Sequence, residues 1–136
     1  ICHGISIKED QTMSWTKVVS EKAVPMRKTP WGGEIHWLTY PAVTGNPYLT
    51  SAILKIFPGQ GHEPHVHENS EEIILILEGA GEHRYILEDG TEKVFQVGPG
   101  DVLWMDRGQL HSTGNKSEDV LKVFVVYTNR EIEPIK

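Results

Sequence analysis

The stretch "GHEPHVHENSEEIILILEG" (61–79) sets His65 and His67 two positions apart, follows them with Glu72, and then turns apolar up to Gly79. Side chains alternate along an extended strand, so imidazoles at i and i+2 project into the same space. Glu72 stands at an odd offset from His67 and needs a turn to join them. "ENSE" (68–71) supplies Asn and Ser where such a turn wants them. Much later, "GDVLWMDRGQLHSTGN" (100–115) brings a fourth candidate, His111, after a strand and Gly108. Three imidazoles and one carboxylate form a mixed nitrogen–oxygen ligand set, the kind that suits a divalent transition metal.

These residues need elements to hold them. From Trp31 onward the chain is punctuated by Gly, Pro, Asn and Asp, with short apolar runs between. "EIHWLTY" (34–40), "LTSAILKIF" (49–57), "EIILILE" (72–78), "EHRYILE" (82–88), "KVFQV" (93–97), "DVLWM" (101–105) and "VLKVFVVYT" (120–128) have strand length and β-rich content. Asp89-Gly90, between two of them, is a strong hairpin signal. Many closely spaced strands without a long 3.6-residue period point to an all-β sandwich or barrel. The runs are continuous rather than alternating, so their strands are expected to be covered on both faces. Trp104 and Met105 are accordingly expected in the core.

At this level the chain resembles the cupins, whose two motifs read G-x5-H-x-H-x3–4-E-x6-G and G-x5-P-x-G-x2-H-x3-N. Gly59, His65, His67, Glu72 and Gly79 match the first, and Gly100, Gly108, His111 and Asn115 match the second. One position departs: Asp106 stands where the motif has proline, a turn-shaping residue rather than a ligand. The resemblance implies a small antiparallel jelly-roll barrel, with His65, His67, Glu72 and His111 converging on one divalent metal (Fe, Mn, Ni or Zn). An H-x-H pair alone is more often a surface accident than a metal site. Glu72 and His111 in register reverse that weighting.

The expected organisation is an N-terminal arm (1–30) able to pair with a partner subunit, a barrel (31–130) and a C-terminal tail (131–136). Among the other residues, His62 lies at an odd offset from His65 with Pro64 between, and is expected as a loop histidine at the barrel mouth, off the inward face. His83 and Tyr85 sit two apart, where chains resembling this one usually place apolar inward residues. They are candidate catalytic residues, with a satisfied core pair as the equal alternative, while Glu82 and Arg84 face out. Trp15, Trp31 and Trp37 cluster before the barrel, and "TPWGGE" (29–34) resembles a stretch in some sugar-phosphate isomerases. Lys55 reaches either pocket or solvent.

The chain has 136 residues and a formal charge of −6, with no basic stripe to neutralise phosphates, so no nucleic-acid partner is expected. Cys2 is the single cysteine, which excludes an intrachain disulfide and points to a reducing, cytoplasmic setting. No apolar run reaches membrane-span length, and "ICHGISIKED" does not read as a signal peptide. The functional expectation is a metal-dependent enzyme (isomerase/epimerase, decarboxylase or dioxygenase) acting on a small oxygen-rich molecule, a sugar derivative or organic acid. The alternative is a non-catalytic binding or sensing module, such as the effector domain of a transcription regulator. Its upstream helix-turn-helix is not found in residues 1–30. "VLKVFVVYT" is apolar on both faces, with Leu121, Val123 and Val125 on one and Val120, Phe124 and Val126 on the other, so a homodimer is expected.

Overall fold

A computed structural model describes residues 16–129 of the chain. Nine strands follow one another among these residues: β1 (Met26–Lys28), β2 (Glu34–Thr39), β3 (Leu49–Ile56), β4 (Glu72–Glu78), β5 (Gly81–Ile86), β6 (Glu92–Val97), β7 (Val102–Met105), β8 (Leu110–Gly114) and β9 (Leu121–Thr128). A 3-10 turn at Glu21–Ala23 precedes β1, and one short helix, α1 (Pro41–Thr44), links β2 to β3. Residues expected as strands match β2, β3, β4, β5, β6, β7 and β9. β1 and β8 go beyond that expectation. Trp15 and Cys2 lie outside the described residues, and none of the helices described is long and apolar enough to cross a membrane.

Two antiparallel sheets form the jelly roll. The larger runs β1-β2-β3-β9-β4-β7 and the smaller β6-β5-β8. Period-2 alternation decides what goes inside. Ala52, Leu54 and Ile56 of β3 face Val125, Val123 and Leu121 of β9 in register, and Ile74 and Ile76 of β4 meet Val125 and Val123 from the other side. All eight are buried and, with Ile35, Val97 and Met105, form one core. Each fully buried Leu or Ile there stabilises the fold by about 1.5–3 kcal/mol relative to exposure.

The expectation of strands covered on both faces fails at β4 and β7. Ile73 and Trp104 lie opposite one another on the outer face and are 42% and 59% exposed. Trp104 is therefore not a core residue, whereas Met105 is. β7 is a sheet edge with alternating burial, and among the described residues nothing packs outside it.

The turns follow local chemistry. Leu87 and Thr91 close the β5–β6 hairpin through their backbones, with Gly90 at φ 89° and the Asp89 carboxylate accepting from Thr91 N at 2.9 Å. At the motif's departure from proline, Gln109 N donates to Asp106 O at 3.2 Å. Gly108 supplies the left-handed residue of that turn at φ 76°. Aspartate thus closes the turn that presents β8.

Candidate metal centre

The ligand-type residues are brought together by one backbone bridge. His65 N donates to His111 O at 2.9 Å and His111 N to His65 O at 3.0 Å, so residues 61–65 lie along the free edge of β8. The same edge pairs Gly61 with Gly114, where a Cβ on Gly61 would stand 2.8 Å from Thr113 O. Only glycine permits that approach. Gly108 N donates to His67 O at 2.9 Å and ties the end of the segment down. Glu72 opens β4 between Tyr127 of β9 and Met105 of β7 and is 5% exposed.

Protons on the imidazoles are set by carbonyls, which can only accept. His65 Nδ1 donates to Glu63 O at 3.1 Å and His111 Nδ1 to Gln109 O at 2.7 Å, leaving both Nε2 atoms with free lone pairs. His65 Nε2 lies 3.1 Å from His67 Nε2, and one ligating atom from each of His65, His67 and His111 falls within 4.8 Å of the others. Glu72 Oε1 stands 3.2 Å from His111 Nε2 and 3.6 Å from His67 Nε2. Both His111 Nε2 and Glu72 Oε1 are buried, and neither has a hydrogen-bond partner besides the other. Buried polar atoms are rarely left so, and lone pairs converging on one point are what a cation resolves. The donor set fits a divalent metal ion.

Electrostatics differ between the two histidines. Burial holds the His65 pKa below its usual value, with the neighbouring His111 adding to the effect against the Glu63 carbonyl, so His65 is a neutral donor at physiological pH. At His111 burial pulls downward, but hydrogen bonding to Glu72, the Gln109 carbonyl and the Glu72 charge outweigh it and raise the pKa.

His62 departs from the sequence expectation. It is a loop residue, yet its ring centroid lies 4.3 Å from that of His65 and 5.9 Å from that of Trp31, and it lines the same cavity. The alternation argument assumed a regular strand, whereas the chain pairs with β8 only at Gly61 and His65. Burial, then the His65 charge, pushes the His62 pKa down to about 4.

His83 and Tyr85 point inward as expected, while Glu82 and Arg84 pair with each other at 2.9 Å on the other face. They do not line the main cavity. His83, 3% exposed, packs behind His111 with rings stacked at 5.8 Å, and its Nδ1 hydrogen-bonds Thr113 Oγ1 at 2.9 Å. Burial, then the His111 charge, lowers its pKa to about 4. Tyr85 stacks on Phe95 at 5.9 Å beside a second recess of about 280 Å³ that His83 also borders. Lys55 alternates with buried Leu54 and Ile56 and faces away from the cavity. Asn115 is structural: its amide donates to Ile56 O and Asp119 O at 2.8 and 2.7 Å.

Sequence reasoning missed Tyr127. It lies opposite Glu72 in the β4–β9 register, hydrogen-bonds that carboxylate and lines the cavity. Burial and the Glu72 charge raise its pKa well above the phenol value, which keeps the hydroxyl protonated. The available signal was parity: Tyr127 shares its face with Leu121, Val123 and Val125.

Comparison with known proteins agrees with the geometry. The family described as the cupin domain matches residues 52–127. None of the curated proteins matches this chain significantly. Among solved structures, a variant of the Bacillus subtilis oxalate decarboxylase superposes with a TM-score of 0.72 at 22% identity, covering 84% of this chain and 29% of that one. Another structure of that enzyme, described for its Mn(II) centres, gives 0.71 at 21% identity with coverages of 84% and 29%. The chain thus spans about three tenths of that enzyme's length. A predicted oxalate decarboxylase from Thermotoga maritima gives 0.71 at 24% identity, with 82% of this chain and 98% of that one covered.

Proposed function

The chain belongs to the cupin domain family, and on that premise we propose that it is a metal-dependent enzyme acting on a small oxygen-bearing organic molecule. The observation that carries this reading is the convergence of buried His111 Nε2 and Glu72 Oε1, 3.2 Å apart with no other partner, beside the facing Nε2 atoms of His65 and His67. His65, His67, Glu72 and His111 would hold the ion. When bound, a divalent ion supplies Lewis-acid polarisation of a substrate oxygen. The protein's own part is to fix the ligand tautomers through the Glu63 and Gln109 carbonyls. Tyr127 keeps a proton beside Glu72, and apolar walls exclude water. The oxalate decarboxylases of like fold support an organic-acid chemistry class, and the Mn(II) centres of one support manganese among the candidates.

Elemental analysis of purified protein tests the centre. The wild type is expected to carry close to one equivalent of a divalent metal, and folded His67→Ala and His111→Ala variants to lose most of it. Full occupancy in the folded double variant would refute the ligand assignment. Metal retained without turnover of any carbonyl or carboxylate substrate would favour the sensing-module alternative.

We also infer that two copies pair through the outer face of the larger sheet. Ile73, Val102 and Trp104 are exposed there beside half-buried Leu75, Phe124 and Val126, a contiguous apolar strip of the kind that associates. A two-fold axis is the commonest way to cover such a face. Light scattering on the eluting peak reads it: a single-chain mass at micromolar concentration is the contrary result.

A further inference from the structure

The cavity beside His65 and Glu72 has a volume of about 370 Å³, room for a ligand well beyond a two-carbon acid. Its walls are apolar: Trp31, Ile35, Leu54, Ile74, Val123 and Val125 all face it. Of its polar lining residues, His62 lies 4.3 Å from the His65 ring and Tyr127 hydrogen-bonds Glu72, while the Thr29 hydroxyl accepts from Gly33 N. Among the described residues, no lysine or arginine lines it. The described cations nearest in sequence to the cavity walls are engaged elsewhere: Lys28 pairs with Glu34 at 3.3 Å, Lys122 with Glu21 at 3.1 Å, and Lys55 faces outward. The acidic residues that line it are Glu63 and the buried Glu72.

A small dicarboxylate suits such a space poorly. A compact dicarboxylate that chelated the metal through both ends would leave the apolar walls unfilled, and a longer one would set its second carboxylate against apolar wall with no cation to meet it. An apolar body instead gains from every wall residue.

We propose that the site takes a molecule with one chelating pair of oxygens on an apolar body, carrying no more than one negative charge, in preference to a compact dianion such as oxalate. The proposal rests on the metal reading above for its polar end and on the cavity walls for its apolar end. The chelating pair sits at the His65 and Glu72 end, and the body extends toward Trp31 and Ile35.

Titration calorimetry on Mn(II)-loaded protein tests this with pyruvate, 2-oxobutanoate, 2-oxopentanoate and 2-oxohexanoate, a series of constant head and growing tail, beside oxalate. Each added methylene is expected to tighten binding about fourfold, the transfer free energy of one buried CH2, until the cavity is filled. Oxalate is expected to bind at least tenfold more weakly than 2-oxohexanoate. A flat series, or oxalate as the tightest ligand, overturns the proposal and leaves the metal centre standing. Trp31→Ala is expected to keep pyruvate binding and lose part of the methylene increment; an unchanged increment would count against the assigned direction of the tail. Metal-free protein titrated with alcohols from propanol to hexanol reads the apolar end alone. The same increment supports the proposal even if elemental analysis finds no metal, and its absence overturns it.

Discussion

Removing and restoring the metal should move the thermal stability of this protein by an amount set by its buried ligands. Without an ion, Glu72 Oε1 and His111 Nε2 are buried with only each other, 3.2 Å away, as a partner. A buried polar group left short of partners costs about 1–3 kcal/mol, which sets the upper limit on what a cation relieves here. Mass action bounds what is seen: free metal at a hundred times its dissociation constant stabilises the folded state by about 2.7 kcal/mol. For a domain of this size 1 kcal/mol moves the midpoint by about 4 °C, so the rise should be about 10 °C. Scanning calorimetry after chelator treatment, with Mn(II), Fe(II), Ni(II) or Zn(II) added back in turn, measures it. His65→Ala combined with His111→Ala should unfold at a midpoint insensitive to metal. An equal rise in that variant, or no rise in the wild type with any of the four ions, would refute the reasoning.

Three further outcomes are expected. The metal-free protein should lose stability as pH falls from about 6.5 toward 4, because His62 and His83 are held near 4 in the folded state while the unfolded chain protonates first; each contributes a slope of at most about 1.4 kcal/mol per pH unit, and urea titrations of wild type and His83→Leu across this range would show the slope and its reduction. Tyr127→Phe should keep the fold and weaken metal affinity by about tenfold, as loss of a hydrogen bond to a ligating carboxylate does; a competitive chelator titration measures this, and unchanged affinity would remove Tyr127 from the site. Gly79→Ala should destabilise by more than about 1 kcal/mol, since φ is 88° and the new Cβ would lie 2.3 Å from Val120 O; equilibrium denaturation checks it.

Much of this architecture was legible because its strands are short β-rich apolar runs set between turn residues. Ala52, Leu54 and Ile56 and their partners on β9 are the apolar runs read as strands, and Asp89-Gly90 closes the hairpin that it announced. The ligand-type residues stood out through their spacing, and one ligating atom from each of His65, His67 and His111 falls within 4.8 Å of the others. β8 was not, because "LHSTG" carries no apolar run: His111 and Thr113 point inward as polar groups that serve the site rather than the core. Trp104 misled for the opposite reason. An aromatic residue in a continuous apolar run reads as core, and only the sheet order reveals that β7 is an edge. His62 is the loop histidine that was expected, but its place on the cavity wall was missed because period-2 logic was carried into a segment held by isolated bridges.

The order in which the chain can assemble follows from the place of β9. It is paired to β3 on one side, Leu49 facing Thr128, and to β4 on the other, where Tyr127 faces Glu72. Neither neighbour is close in sequence, so the strand's docking closes long loops and cannot nucleate locally. Glu72 acquires its buried position only when β9 and β7 flank it, and the histidines face one another only after β8 accepts residues 61–65. A chain still lacking β9 therefore offers a metal at most a loose histidine pair. In a refolding experiment, tight metal uptake should trail strand formation and coincide with the last pairing, which makes the ion a reporter of completed topology rather than its seed.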